Sequence, residues 1–423
     1  MSYRSLARNH DFTVLWIGQT ISQLGTAMST FAFPLTAYAI TGSTAAASLV
    51  TAAYFAGMLG VLLPAGVLAD RIDRATVMRV SVGSGTIAYT ALVLTSIGGI
   101  LTQPLLIAIA LLSGGATGLF TPAEASAVRT VVSTEDLPTA LGQNQAREHI
   151  AALLGAPVGG LLYGALGWLP FAADALSYAA CWLALGRLRT SLAPTGGRSA
   201  GTGGSAIREL TLGFRFIVAH PFLRLVGVWA PLTNLGLNAV FFLATLRLIA
   251  TGFPAWQIGL VETAAGTSGI LGALCAPWLI DRIPTGRLAI VMAWVFVPLL
   301  IPVALWNTPW VVGGALAVGI FVNPASNAAV GAYSQTILPP TMLGRFSSTT
   351  RFISMSTMPL APLLAGALLA GIGGTRAVLA LAVPVAAIAL IPTLSRTMWR
   401  IGRPATWPRP ADHHARSRPL GVA

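Results

Sequence analysis

Lysine is missing altogether: all 25 basic residues of this 423-residue chain are arginine. Without lysine there is no GxxxxGK[ST] phosphate loop and no Schiff-base nucleophile, which excludes a self-contained ATP-driven pump and imine chemistry. Charge of either sign is scarce, 9% of the chain, against roughly 25% in soluble domains. The two cysteines, Cys181 and Cys275, fall inside apolar stretches and read as small core residues with no disulfide or metal role. The paired His413-His414 sits in a polar tail, and no nucleophile–base spacing is found. Neither an enzyme, a cofactor nor a metal is therefore expected. The first apolar run follows Arg4 and Arg8 and lacks a small-residue cleavage site, so it reads as a retained helix and not a signal peptide.

What the chain has instead is apolar length. Hydrophobic residues make up 55% and mean hydropathy is +0.76, which demands an integral membrane protein. At about 20 apolar residues per crossing there is room for about a dozen helices. Apolar runs fall near 12–40, 44–68, 77–98, 104–126, 141–166 and 169–188, and again near 222–250, 255–280, 287–305, 309–336, 346–371 and 375–395. The net charge of +13 would suggest nucleic acid in a soluble protein. Here the arginines sit in short loops between apolar runs, so the partner is a lipid bilayer and no nucleic acid is expected.

Arginine counting sets an orientation. With a cytoplasmic N-terminus, 23 of the 25 arginines fall in inner segments and only Arg247 and Arg376 face outward. Trp168, Trp306 and Trp310 flank the outer turns, as interface anchors do. The expectation is a multi-pass protein of the inner (cytoplasmic) membrane with both termini cytoplasmic. Residues 1–190 form a first six-helix bundle and 221–400 a second. Between them, 191–220 joins a Gly/Ser/Thr-rich linker at 191–206 to an amphipathic stretch with Ile207, Leu210, Phe214, Ile217 and Val218 on one face. Residues 401–423, rich in Pro and Arg, read as a disordered basic cytoplasmic tail.

One short loop ties this organisation together. Gly66-Val67-Leu68-Ala69-Asp70-Arg71-Ile72-Asp73-Arg74 is echoed by Leu279, Asp281, Arg282 and Ile283, each 211 residues further on. Gly25 and Gly236 share that offset, and Thr41-Gly42 matches Thr251-Gly252 at 210. Pro122-Ala123 pairs with Pro324-Ala325, Arg147 with Arg351, and Ala156-Pro157 with Ala361-Pro362, at offsets of 202 to 205. Ordered matches with a drifting offset mark a diverged duplication, and six helices per half make the halves parallel in the membrane.

These features resemble the major facilitator superfamily, whose loop between helices 2 and 3 has the form G-x-x-x-D-R-x-x-R, filled here by Gly66, Asp70, Arg71 and Arg74. The likeness is closest to the enterobactin-exporter-like and macrolide-efflux-like branch. It is carried by Asn9-His10-Asp11-Phe12, Thr121-Pro122-Ala123, Gln145-Ala146-Arg147-Glu148, Phe171-Ala172-Ala173-Asp174-Ala175 and Gly344-Arg345-Phe346. The resemblance implies an all-α fold of twelve transmembrane helices in two six-helix pseudo-repeats, alternating access, and a gating role for the charged loop and its echo at Asp281 and Arg282. It also implies a central cavity lined by helices 1, 4, 7 and 10. Two departures stand out. The exporter pattern G-P-x-x-G-G of helix 5 is only partly kept as Ala156-Pro157-Val158-Gly159-Gly160-Leu161, a bend-forming Pro157, Gly159 and Gly160. The acid many relatives carry after the helix 1 glycine is replaced by Thr26.

Charges inside crossings are costly and default to function. Glu148, with Arg147 and His149 beside it, reads either as a coupling carboxylate or as part of an ion pair holding helix 5. Glu262 has no basic residue within a turn and reads as a proton-titrating candidate. Glu124 and Asp174 lie nearer the interfaces and read as structural. Polar stripes fall on the cavity helices: Gln19, Gln23, Thr26 and Thr30; Ser113 and Thr117; Asn234, Asn238 and Thr245; Asn323 and Asn327. Interleaved Phe31, Phe33, Phe241, Phe242 and Phe321 make the expected pocket amphipathic. The reading is a secondary active transporter, a monomer that exports an amphipathic drug-like or siderophore-like molecule in exchange for protons. The alternatives are uptake by proton symport on the same fold, and a non-transporting receptor or scaffold.

Overall fold

The computed structural model describes residues 6, 8–193, 214–215, 217–338 and 343–407. Every element among them is helical. The first half contributes α1 (His10–Thr41), α2 (Thr44–Arg71), α3 (Arg74–Ile97), α4 (Gln103–Val131), α5 (Leu137–Ala165) and α6 (Leu169–Leu185). The second contributes α7 (Pro221–Ala250), α8 (Ala255–Arg282) and α9 (Thr285–Leu305), then α10 in two segments (Pro309–Phe321, Asn323–Ile337). It closes with α11 in two segments (Leu343–Ser356, Leu360–Ile372), α12 (Gly374–Leu394) and a short α13 (Arg396–Trp399). The chain is thus a multi-pass membrane protein. Nine of the described spans are both long and apolar enough to cross a bilayer. The α1 and α5 helices, of 32 and 29 residues, are long enough but carry the polar residues of the cavity, and α6 has 17 residues.

The duplication inferred from sequence is visible as repeated packing. Gly25 of α1 lies against Asp174 and Ser177 of α6, and Gly236 of α7 lies against Val385 and Ile388 of α12. Gly42 and Gly252, which close α1 and α7, take φ of 64° and 80°, a left-handed backbone that glycine adopts without Cβ strain. The matched Ala123 and Ala325 are both fully buried.

The start of α1 and the end of α12 lie at one end of the bundle, the termini side; the opposite end is the far side. The halves meet through α5 against α8 and α2 against α11. Glycine permits the first contact. A Cβ on Gly160 would stand 2.5 Å from the Ala255 carbonyl oxygen, and one on Gly259 2.5 Å from that of Ala156. On α11, Gly366 leaves room for Ser48 of α2. The α5 helix runs unbroken through Pro157, and Gly159 and Gly160 serve as a flat packing face against α1 and α8. Two hydrogen bonds cross between the halves in the same region, Tyr38 Oη to the Ala250 carbonyl (3.3 Å) and Thr263 Oγ1 to that of Leu153 (3.5 Å). All these approaches run from the middle of the bundle to the far side.

The far side also explains an arginine that the positive-inside count leaves out. Arg247 closes the last turn of α9, donating from Nη1 to the Val303 carbonyl (2.6 Å) and from Nη2 to that of Ala304 (3.1 Å) and to Thr375 Oγ1 (3.1 Å). A guanidinium there satisfies orphan carbonyls at a helix C-terminus and suits the macrodipole.

On the termini side the Asn9-His10-Asp11-Phe12 run is a knot. Asn9 caps α1 through Phe12 N and donates from Nδ2 to the Val131 carbonyl at the end of α4 (2.7 Å). Asp11 accepts from the N–H groups of Arg189 (3.0 Å) and Thr190 (2.9 Å) and from the Thr190 hydroxyl. Phe12 packs with Leu6, Val128, Val132 and Ala140. The N-terminus of α1 is thereby fastened to the ends of α4 and α6.

The start of the expected disordered tail is ordered instead. Ile401 is buried, Trp407 packs edge-on to Tyr333, and the Ile401 and Gly402 carbonyls accept from Gly286 N and Thr285 N at the start of α9 (both 3.2 Å). Orphan helix donors outweigh a composition that reads as disorder. Residues 408–423 and most of the 191–218 segment lie outside the described residues.

Adding a branched side chain at the α5–α8 contact tests this packing. Gly259→Val is expected to cost about 1–3 kcal/mol by overpacking and to lower the thermal unfolding midpoint in detergent. Gly371→Val, with no atom within 4 Å of its would-be Cβ, should leave it nearly unchanged. Equal midpoints for the two variants would contradict the contact.

Candidate functional site: a two-chambered central cavity

Two adjoining chambers open within the bundle. The one toward the termini side has a volume of about 240 Å³ and is walled by four helices of the first half. Gln19, Ser22, Gln23 and Thr26 come from α1, Thr117, Phe120, Thr121 and Glu124 from α4, Glu148 from α5 and Tyr178 from α6. The other, about 510 Å³, lies between the halves. Its wall takes Thr30 and Phe31 from α1, Tyr54, Phe55 and Met58 from α2, Asn238, Phe241, Phe242 and Thr245 from α7, Glu262 from α8, and Met355 and Met358 from α11. Ala27 and Ala152 belong to both walls, so the chambers are continuous. Phe55 and Phe242 meet edge to face across the halves, centroids 6.1 Å apart.

The polar chamber is organised by one buried ion pair. Arg147 is 3% exposed; its Nη2 donates to Glu124 Oε1 at 2.6 Å and its Nε to Gln23 Oε1 at 3.1 Å. The contacts join α5, α4 and α1. A paired charge is the form in which a buried arginine is tolerated, since removing one partner leaves the other uncompensated. Around the pair, Thr26 Oγ1 donates to Tyr178 Oη (3.1 Å), and Tyr54 Oη lies 3.1 Å from Thr117 Oγ1. The polar faces of α1 and α4 are thus braced by tyrosines of α6 and α2.

Of the residues expected to line a cavity, Gln19, Gln23, Thr26, Thr30, Thr117, Asn238 and Thr245 do so, with Phe31, Phe241 and Phe242. Asn234, Asn323 and Asn327 line neither chamber. The Asn234 carbonyl accepts from Asn238 Nδ2 (2.7 Å), and Asn327 Nδ2 donates to Asn323 Oδ1 (2.6 Å) beside the break in α10. Ser113 is fully buried and Phe33 lies in the first half's aromatic core with Tyr54, Tyr89 and Phe171; Phe321 lines neither chamber. Helical periodicity cannot separate a lumen face from a second buried face.

The carboxylates divide differently from the sequence reading. Glu124, read as structural only, is both the partner of Arg147 and part of the polar wall. Glu148 is exposed to the chamber and stands outside that ion pair. Glu262 lines the aromatic chamber. Asp174 is fully buried behind the wall, accepting from the Ser177 hydroxyl at 3.0 Å. It lies against Gly25, next to the position where α1 lacks an acid. Tyr54, Tyr178, Met58, Met355 and Met358 were missed; the one available signal was Tyr178, four residues after Asp174 on the same face of α6.

At the charged loop, the side chains at Asp70 and Arg71 and everything beyond the backbone at Gly66 lie outside the described residues. Arg74, at the start of α3, donates from Nη1 to Thr130 Oγ1 of α4 at 2.9 Å, a bond inside one half. Asp73 caps α3 through Thr76 N (3.3 Å). In the echo, Asp281 is exposed and the Arg282 guanidinium stacks 4.6 Å from the Trp278 ring centroid.

Removing one member of the buried pair should be costly. Arg147→Ala is expected to destabilise by roughly 3–5 kcal/mol, read as a drop in the detergent unfolding midpoint. The double variant Arg147→Met/Glu124→Gln should recover at least half of that drop. A single variant as stable as the parent would show that the pair does not hold α1, α4 and α5 together.

Comparison with known proteins agrees with this architecture. The chain is 28% identical over 407 residues to an uncharacterized MFS-type transporter, y4rN, of Sinorhizobium fredii, covering 93% of this chain and 97% of that one. It is 24% identical over 354 residues to the enterobactin exporter EntS of Salmonella typhi, covering 81% and 82%. Among solved structures it superposes on the nucleoside transporter NupG with a TM-score of 0.73 at 13% identity, over 92% of this chain and 98% of that chain. It also superposes on a bacterial homologue of the iron transporter ferroportin, with a TM-score of 0.69 at 15% identity over 93% and 99%. Residues 15–362 match the Major Facilitator Superfamily, and with twelve helices in two packed, repeated halves around a shared cavity, the chain belongs to that superfamily of membrane transporters.

Proposed function

We propose that this transporter exports an amphipathic small molecule across the cytoplasmic membrane in exchange for protons, by rocking its two halves about the central cavity. The observation that carries the reading is Glu262, a carboxylate in the wall of a chamber otherwise made of Phe, Tyr, Met and small polar side chains from both halves. With both termini cytoplasmic, as the arginine distribution argues, the glycine contacts of α5–α8 and α2–α11 lie toward the outside and the polar chamber toward the cytoplasm. A molecule entering from the cytoplasm would meet Gln19, Gln23 and Glu148 first and the aromatic chamber next.

Proton exchange follows from the cost of burying charge. Closing the termini side would dehydrate Glu148 and Glu262, and an uncompensated carboxylate in a dry interior costs several kcal/mol. Protonation, or a bound substrate that compensates the charge, removes that cost. The empty, ionised cavity therefore resists closure, and a loaded or protonated one does not. Export is favoured over uptake by the likeness to a protein named as an enterobactin exporter. The charged loop at 66–74 would act in the same cycle as a termini-side contact that forms when the halves close there.

Flux in oriented proteoliposomes tests the reading. A panel of amphipathic compounds should include at least one moved from the cytoplasmic face outward, accelerated about tenfold by a proton gradient directed inward. Glu262→Gln should lose the response to the gradient while keeping substrate counterflow. Gradient-driven movement in the opposite direction would establish uptake, and binding without flux would establish a receptor.

A further inference from the structure

We propose that the ligand held in this cavity is an organic cation, with Glu148 as its counter-charge and the aromatic chamber taking its apolar body. This rests on the reading of the cavity as the substrate site and adds the charge class of the substrate.

The charge balance of the walls is one-sided. Glu124, Glu148 and Glu262 line the two chambers, and no arginine does among the described residues. Arg147, the cation beside the polar chamber, is already engaged with Glu124 and Gln23. Neither Glu148 nor Glu262 forms an ion pair among the described residues. The cavity thus carries two carboxylates whose charge nothing in the wall cancels. In a site flanked by low-dielectric side chains their field is weakly screened, so it attracts cations and repels anions.

A second, independent feature points to a ligand in the same chamber. Gln19 is 1% exposed and lines the polar wall beside Glu124, and neither its Nε2 nor its Oε1 has a hydrogen-bond partner within 3.5 Å among the described residues. A buried amide normally has its bonds satisfied, and leaving one bare costs about 1–3 kcal/mol. A polar ligand group in the polar chamber would supply a partner for that amide. The adjoining chamber offers faces for the rest of a cation. Phe31, Tyr54, Phe241 and Phe242 present rings and Met58 and Met355 polarizable thioethers, and aromatic faces attract cations in their own right. The combined space lies in the range of roughly 300–1,000 Å³ that suits a drug-sized molecule. A ligand carrying carboxylates or catecholates would instead have to sit beside two uncompensated acids, with the buried Arg147 guanidinium already paired to Glu124 and only its Nη1 unbonded.

The test is equilibrium binding of radiolabelled tetraphenylphosphonium to the full-length purified protein in detergent. Neutral triphenylphosphine oxide and anionic tetraphenylborate serve as competitors of similar shape. Binding should be saturable. Glu148→Gln should weaken it at least tenfold, Glu148→Asp should restore most of it, and the neutral and anionic compounds should compete at least tenfold less well than unlabelled cation. Variants are compared only after they elute as monodisperse peaks at the parental volume. Equal competition by the neutral or anionic compound, or binding of the cation unaltered in Glu148→Gln, would overturn the proposal. Because binding is read without flux, saturable cation binding by a protein that moves nothing would reject the export reading and leave this one standing.

Discussion

A charge inside a bilayer must be compensated, and the charged groups within the described bundle differ in how they meet that constraint. Arg147 and Glu124 compensate each other within the wall of the polar chamber. Arg247 is held by the carbonyls that end α9. Asp174, behind the wall, has only the Ser177 hydroxyl, and Glu148 and Glu262 face the cavity without a counter-ion among the described residues. The two settled pairs of partners stiffen each half. In the cycle proposed above, the two unsettled acids would make closure of the cavity depend on what occupies it.

The interiors of the halves and the contact between them are built from different residue types. Within the first half, Asn9, Asp11 and Phe12 tie the start of α1 to the ends of α4 and α6, while Phe33, Tyr89, Phe171 and Tyr178 form a continuous aromatic core. Between the halves, the contact is made by Gly160, Gly259 and Gly366 against backbone or a small hydroxyl. Small residues allow helices to approach closely in lipid without interlocking side chains. Such a surface can part and re-form at little cost, which a rocking mechanism needs.

Much of this was legible in the chain. Helix number, the half-chain repeat and the place of the turns followed from apolar length, arginine spacing and pairs such as Gly42 and Gly252, because these depend on local chemistry. The α1 wall of the cavity was also readable, since Gln19, Gln23 and Thr26 form a polar stripe on an apolar helix. The Arg147–Glu124 pair was not, because it depends on the rotation of α5 relative to α4. Phe33 was placed in the lumen for the same reason: its helix has two buried faces, one toward the cavity and one toward Tyr89. Asn323 and Asn327 line neither chamber but bond to each other just after the interruption of α10 at Val322, which their spacing on the helix does not reveal. The first seven residues of the tail were misread because Pro and Arg hid a backbone cap on α9.

The central claim is that uncompensated carboxylates in the cavity hold the termini side open. It is tested most directly by spin-label distances across that side, between Ala146 on α5 and Leu274 on α8, in a Cys181→Ala/Cys275→Ser background over a range of pH. The account predicts a distance distribution that shifts to shorter values as the pH falls, and a Glu148→Gln/Glu262→Gln variant that populates the shorter distance throughout. A distribution that ignores both pH and the two substitutions would contradict it.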